Sequence, residues 1–159
     1  MVHIPSKKEV DSKALQNAFS LVLDDVQDPG NLGTIIRTAD WFGIKTIICS
    51  ENTVEAYNPK TVQSTMGSLC RVNIIYTSLA PFLKNIKLPI YGALLDGENI
   101  YQTNWGNEGL ILLGNEGHGI GKELIEQITV PVTIPRFGAA ESLNVAVSAA
   151  IFCSEISRK

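Results

Sequence analysis

Five polar residues of this 159-residue chain sit where chemistry is possible: Asn31, Arg37, Glu116, Ser142 and Asn144. Asn31 and Arg37 share the stretch Asp28-Pro29-Gly30-Asn31-Leu32-Gly33-Thr34-Ile35-Ile36-Arg37. Arg37 is the only charged residue between Asp28 and Asp40. A cation in so apolar a segment needs an acidic partner or an anionic ligand. Asp28, Asp40 and Glu116 are the candidate partners, and a phosphate, which suits the planar guanidinium fork, is the candidate ligand. Glu116 lies in Gly114-Asn115-Glu116-Gly117-His118-Gly119-Ile120-Gly121, where four glycines in eight residues let backbone approach a ligand closely. Ser142 and Asn144 follow Ile134-Pro135 and a run of small residues, in Glu141-Ser142-Leu143-Asn144-Val145-Ala146-Val147. Plainer roles stand beside these. Asn31 and Ser142 are good helix N-caps, Asn144 serves a ligand or only the helix end, the glycines make a tight turn, and His118 is simply solvated. Arg37 follows Asn31 by about 600° of helical turn, so spacing alone does not put the two on one face.

The elements that must position these residues alternate along the chain. Apolar runs at 20–26, 45–49, 72–76, 89–95, 110–113 and 129–134 read as strands. Helical spacing predicts helices over 31–42, 58–66, 79–85, 121–127 and 142–156, with Pro59 in a first turn and Gly43 just past an end. Short continuous apolar strands between helices indicate an α/β fold, an about six-stranded, mostly parallel sheet with helices on both faces. Ligands of such sheets bind at the carboxyl ends of the strands, which is where all three segments fall.

Composition narrows the classes. The hydrophobic share of 45% and charged share of 18% suit one packed domain and exclude a disordered chain. Residues 1–18 read as a linker or leading segment and 19–159 as the domain. No stretch suits a membrane span or a secretory signal. The net charge of −3 argues against a surface coated in positive charge but leaves room for a local basic site. The three cysteines, Cys49, Cys70 and Cys153, lack C-x-x-C spacing and read as buried thiols of a cytoplasmic protein. No metal site is expected. The turn after the first strand, Asp-Pro-Gly-Asn-Leu-Gly, is not the G-x-G-x-x-G of a nicotinamide-binding oxidoreductase, and there is no Walker lysine.

Together and in this order, the segments resemble the three motifs of the SpoU/TrmH family of the SPOUT superfamily: N-x-G-x-x-x-R (Asn31, Gly33, Arg37), L-L-G-N-E-G-x-G (Leu112–Gly119), and I-P followed by E-S-L-N-V-A-V (Ile134, Pro135, Glu141–Val147). The resemblance spans about residues 20–157. It implies S-adenosylmethionine-dependent methylation of a ribose 2′-hydroxyl in RNA, either tRNA or rRNA, by a homodimer whose C-terminal stretch forms a trefoil knot. It also implies substrate-side or catalytic roles for Asn31, Arg37, Glu116, Ser142 and Asn144. Cofactor contacts are implied for Ala93, Gly114, Asn115, Gly117, Ile134, Ser142 and Leu143. A non-catalytic RNA-binding or dimerisation module of the same fold is the alternative. Many relatives carry an extra N-terminal RNA-binding domain, so the chain reads as an isolated catalytic domain or a compact subgroup.

Overall fold

The structure, a computed structural model, describes residues 10–158. In chain order they form a 3-10 turn at Ser12–Leu15, β1 (Phe19–Leu23), α1 (Pro29–Trp41), β2 (Thr46–Ser50), α2 (Pro59–Thr65) and a second 3-10 turn at Ser68–Cys70. β3 (Asn73–Thr77), α3 (Leu79–Asn85), β4 (Ile90–Asn99), β5 (Gly109–Leu113), α4 (Lys122–Ile125), β6 (Val130–Thr133) and α5 (Val145–Ser157) follow. The strands make one six-stranded sheet in the order β3-β2-β1-β5-β4-β6, and every neighbouring pair is parallel.

Alternate strand residues point to opposite faces, and both faces are covered. Leu21, Leu23, Ile47, Ile111 and Leu113 pack under α1 and α5, which bring Leu32, Ile35, Ile36, Ala149 and Phe152. On the other face Val22, Ile48, Leu110 and Leu112 meet Leu79 and Leu83 of α3 and Leu124 of α4. Leu15 is buried in this second layer, so the chain before β1 is tied down from that residue onward. The expected leading segment otherwise lies partly outside the described residues. Gly33 lets α2 approach α1: a Cβ there would stand 2.4 Å from Ser64 Cβ and 2.8 Å from the Thr61 carbonyl. The glycine of the first motif is thus explained by helix packing.

Most element ends differ from the sequence reading by a few residues, β1 for instance stopping at Leu23, and three of the differences bear on the site. α1 begins at Pro29 and is capped by Asp28, whose Oδ1 accepts from the Asn31 N–H at 2.8 Å, so Asn31 is not the cap. α5 begins at Val145, and Asn144 rather than Ser142 caps it, accepting from the N–H groups of Ala146 (2.9 Å) and Val147 (3.2 Å). β4 runs on to Asn99: Ala93 and Glu98 both pair with Val132, so residues 94–97 bulge out of the strand. The strand expected to end at residue 95 resumes after the bulge, where Gly97 lies so close to Pro131 that a Cβ would stand 2.7 Å from its backbone.

Cys49 and Cys153 are buried as expected, whereas Cys70 is exposed at the end of its 3-10 turn. Burial pushes the Cys49 thiol well above its usual range and Cys153 up to about 12. Among the described residues no helix is long and apolar enough to cross a membrane, and no group of three His, Cys, Asp or Glu side chains could hold a metal ion.

Candidate active site

The strand order sets β1, β5, β4 and β6 side by side, so the loops leaving their carboxyl ends share one end of the sheet. α1 grows from the loop after β1, the glycine-rich loop follows β5, and the long loop after β6 leads into α5. All three motif segments therefore meet, although more than 110 positions separate Asn31 from Asn144.

Three of the five polar residues form a relay. Asn31 donates from Nδ2 to Glu116 Oε1 at 3.0 Å, and Asn144 donates from Nδ2 to Asn31 Oδ1 at 3.0 Å. The polarity of this chain is forced. An ionised carboxylate only accepts, so the Asn31 amide must turn its NH2 to Glu116 and its oxygen to Asn144. Asn144 must then donate, and its own oxygen is free to cap α5. Because Asp28 has taken the cap of α1, the Asn31 side chain is available for the relay. Glu116 also receives long hydrogen bonds from the Gln27 and Asp28 N–H groups, both at 3.5 Å.

The loop carrying Glu116 is closed on itself. Asn115 and Gly119 exchange backbone hydrogen bonds at 3.0 Å, and Asn115 Oδ1 accepts from the N–H groups of Gly117 (2.7 Å) and His118 (3.2 Å). Gly114 permits this closure, since a Cβ there would lie 2.2 Å from the Gly119 carbonyl carbon. Gly117 is different: an added Cβ would meet only Asn115 Oδ1, at 3.3 Å. His118 is exposed but not simply solvated, with Nε2 3.3 Å from Asp25 Oδ2.

Arg37 and Ser142 stand outside the relay. Arg37 is exposed on α1 and has no ion pair or hydrogen bond among the described residues. None of its three candidate acids takes it: Asp28 caps α1, Glu116 receives Asn31, and Asp40 binds Arg71 at 2.7 Å and Ser68 at 2.8 Å. The Arg37 guanidinium is therefore left to solvent among the described residues. Ser142 is exposed, in a loop whose N–H groups from Arg136 to Leu143 make no hydrogen bond among the described residues.

The residues expected to hold a cofactor lie on three adjacent strand ends. Ala93 precedes the β4 bulge, Gly114 follows β5 and Ile134 follows β6. Leu95 (82% exposed) stands in the β4 bulge, and Phe137 (95%) and Leu143 (49%) in the loop beyond β6. Exposed apolar side chains beside free backbone donors are what a flat, neutral nucleoside with a polar edge requires, so the residues present fit such a group. Thr34, not singled out in the sequence, lines a groove of about 420 Å³ between α1 and α5 with Asn31, Asn144, Val147, Ile151 and Ser154. Asp28 was also missed as a site residue; a Ser, Thr, Asp or Asn directly before a first-turn proline is the signal that finds it.

Comparison with known proteins agrees with this geometry. The model of the SpoU rRNA Methylase family matches residues 18–154. The 23S rRNA (guanosine(2553)-2′-O)-methyltransferase RlmP of Bacillus subtilis is 37% identical over 153 residues, covering 94% of this chain and 60% of the relative. The structure of the AdoMet-bound rRNA methyltransferase from Sinorhizobium meliloti superposes with a TM-score of 0.83 at 33% identity, over 89% of this chain and 56% of that one. The SpoU methyltransferase AviRb from Streptomyces viridochromogenes, in complex with AdoMet, gives a TM-score of 0.83 at 26% identity, over 98% and 65%. The chain thus spans about 60% of the length of the Bacillus subtilis relative. With the family model covering nearly the whole fold and its motifs meeting at one end of the sheet, this chain belongs to the SpoU rRNA methylase family.

Proposed function

We propose that this chain carries the catalytic site of an RNA 2′-O-methyltransferase that uses S-adenosylmethionine to methylate a ribose hydroxyl in tRNA or rRNA. The observation that carries the reading is the Glu116–Asn31–Asn144 relay, which joins the three motif segments beside the loops suited to the cofactor. When bound, S-adenosylmethionine would supply an electrophilic methyl group: the oxygen–methyl bond forms as the sulfur–methyl bond breaks, the sulfonium becomes a neutral thioether, and the hydroxyl proton passes to solvent. The chain's own contribution is positioning. Arg37 holds the phosphate next to the target ribose through its two-pronged donor face. Asn31, fixed in one orientation by Glu116 and Asn144, presents polar atoms to the ribose, and Ser142 completes the site from the loop before α5. Ala93, Gly114, Asn115, Gly117, Ile134, Ser142 and Leu143 hold the cofactor, mostly through backbone.

Several further features belong to this reading. β6 lies at the sheet edge, while α5 returns to pack on α1 and β5, so the chain between Thr133 and Val145 recrosses the ends of the inner strands. That crossing supports the trefoil knot the family resemblance implies. A homodimer through α1 and α5 would cover the apolar groove between them, where Val147 is 47% exposed. An RNA substrate and reduced thiols suit the cytoplasm. Residues 19–159 serve as the catalytic domain in this reading.

The test is transfer of labelled methyl from S-adenosylmethionine to total RNA, followed by mapping of the 2′-O-methyl sites. Label on ribose oxygen supports the reading. Cofactor binding without transfer to any RNA would instead favour a non-catalytic module of the same fold.

A further inference from the structure

We propose that Asp25 and His118 form a clasp that positions Glu116 for the relay, a role that rests on the methyltransferase reading above. Asp25 is one of three non-glycine residues with positive φ among the described residues, at +58°. Strained backbone of this kind persists where the surroundings over-determine it, and it gathers at functional sites. Every polar group of Asp25 is engaged. Its N–H donates to Ser50 Oγ at 2.8 Å, and its carbonyl accepts from Asn115 Nδ2 at 2.6 Å. One carboxylate oxygen accepts from the Gln27 side-chain amide, and the other faces His118 Nε2 at 3.3 Å. The left-handed turn thereby ties the loop after β1 to the end of β2 and to the loop after β5.

The consequence falls on Glu116. It sits between Asn115 and His118, and both neighbours are bound by Asp25, one through the backbone and one through the side chain. Asp24 holds the far end of the same loop, its Oδ2 accepting from the Gly121 N–H at 2.8 Å. Gln27, steadied by Asp25 and by the Asn52 carbonyl, carries one of the N–H groups directed at Glu116. A polar contact this exposed contributes little to global stability, so the value of the Asp25–His118 contact lies in where it sets the loop. Asp25 and His118 are positioning residues: they act on the reaction through Glu116.

The experiment uses Asp25→Asn, His118→Ala, His118→Gln and the double variant Asp25→Asn/His118→Ala. Asparagine tolerates the left-handed backbone but exchanges one of the two accepting carboxylate oxygens for an NH2 group, so it cannot accept from Gln27 on one oxygen and from His118 on the other. Hydrogen exchange of the Gly117 and His118 amides reads the clasp without reference to activity, and steady-state methyl transfer reads its consequence. Asp25→Asn and His118→Ala are expected to melt like the parent protein, to exchange these amides faster, and to lower kcat about tenfold, as small misplacements of a positioned group do. KM for RNA stays within about twofold, His118→Gln, which keeps a donor, recovers part of the loss, and the double variant is no worse than the worse single one, as expected for one shared contact. Unchanged amide exchange overturns the clasp. So does unchanged kcat in variants whose loop exchanges faster, or a double variant whose loss is the product of the two. If the parent protein transfers no methyl group, the methyltransferase reading fails by itself. The clasp is then upheld by faster exchange at Gly117 and His118 and overturned by unchanged exchange.

Discussion

Asn144 donates to Asn31 at 3.0 Å from one end of its amide and caps α5 with the other, so a single side chain both starts a helix and closes the polar relay. The two tasks need opposite halves of the amide, and that allows them to be separated by mutation. Asn144→Asp keeps an accepting oxygen for the cap, and Asp caps as well as Asn, so stability should change by less than about 0.5 kcal/mol. It cannot donate to Asn31, and methyl transfer should fall by about 100-fold, the scale of losing a preorganised donor. Asn144→Ala should lose the same activity and also about 1 kcal/mol of stability. Thermal melts beside single-turnover transfer check both; an active Asn144→Asp enzyme would show that the relay is not needed.

Arg37→Ala should leave the melting curve and cofactor affinity unchanged, because the guanidinium is exposed and leaves no acid unpaired among the described residues. Methyl transfer should drop about 100-fold or more. Arg37→Lys should not restore it, since a point charge cannot replace a two-pronged contact to phosphate. Single-turnover transfer to a cognate RNA decides; a near-normal rate in Arg37→Ala removes Arg37 from the mechanism.

Gly114 and Gly117 should respond differently to the same added methyl. Gly114→Ala drives a Cβ to 2.2 Å from the Gly119 backbone, so the loop must open and cofactor binding should be lost even if the core still folds. Gly117→Ala meets only Asn115 Oδ1, at 3.3 Å, so the loop should survive, and any fall in S-adenosylmethionine affinity would report contact with the ligand itself. Calorimetric titration of the two variants distinguishes these outcomes.

Among the cysteines, Cys70 alone should react quickly with iodoacetamide in the native protein. Cys49 and Cys153 are buried, and burial holds both thiols protonated far above neutral pH, so little nucleophilic thiolate is present. Mass spectrometry should find one rapid alkylation at pH 8, with the other two sites labelled only on unfolding.

Asp40 ties α1 to the turn that follows α2. The hydrogen bond from Arg71, then that from Ser68, lowers its carboxyl below the usual value. A group whose folded pKa is depressed stabilises the fold above its unfolded pKa, and that contribution is lost as the pH falls through the folded pKa. Parent protein and Asp40→Asn should therefore differ in melting temperature at neutral pH and converge as the medium is taken below about pH 4, near the ordinary Asp value. A gap that persists undiminished at pH 2 would assign the effect to packing instead.

The strand and helix pattern of this chain was legible because each element carries its own local signal. KTIIC and GLILL can only be satisfied by burial on both faces, and Leu79–Asn85 was readable to the residue. The three motif segments were visible too, since asparagine, arginine and glutamate among apolar or glycine-rich neighbours stand out by type. Helix starts were less legible. Asp28 and Asn31, or Ser142 and Asn144, are all competent caps, and local chemistry does not choose between them. The packed chain decides: Asp28 caps α1 while the Asn31 side chain turns to Glu116, and Asn144 caps α5 with its oxygen while its NH2 group reaches Asn31.

Spacing also set a limit on what could be inferred about Arg37. From the sequence an internal salt bridge to Asp28, Asp40 or Glu116 was as open as a ligand, because attraction between charges depends on distances that only the packed chain defines. Folding gave each acid another partner and left the cation exposed. Asp25 shows the same limit more sharply. Nothing in the dipeptide Asp24-Asp25 marks a left-handed residue that binds the end of β2 and the loop after β5, since its partners Ser50, Asn115 and His118 lie 25 to 93 positions away. The sequence alone determined which residue types were available and the strand ends near which they would sit. Tertiary structure alone decided which of them share hydrogen bonds, because a hydrogen bond requires contact within about 3 Å, and a parallel sheet builds that contact between segments remote in the chain.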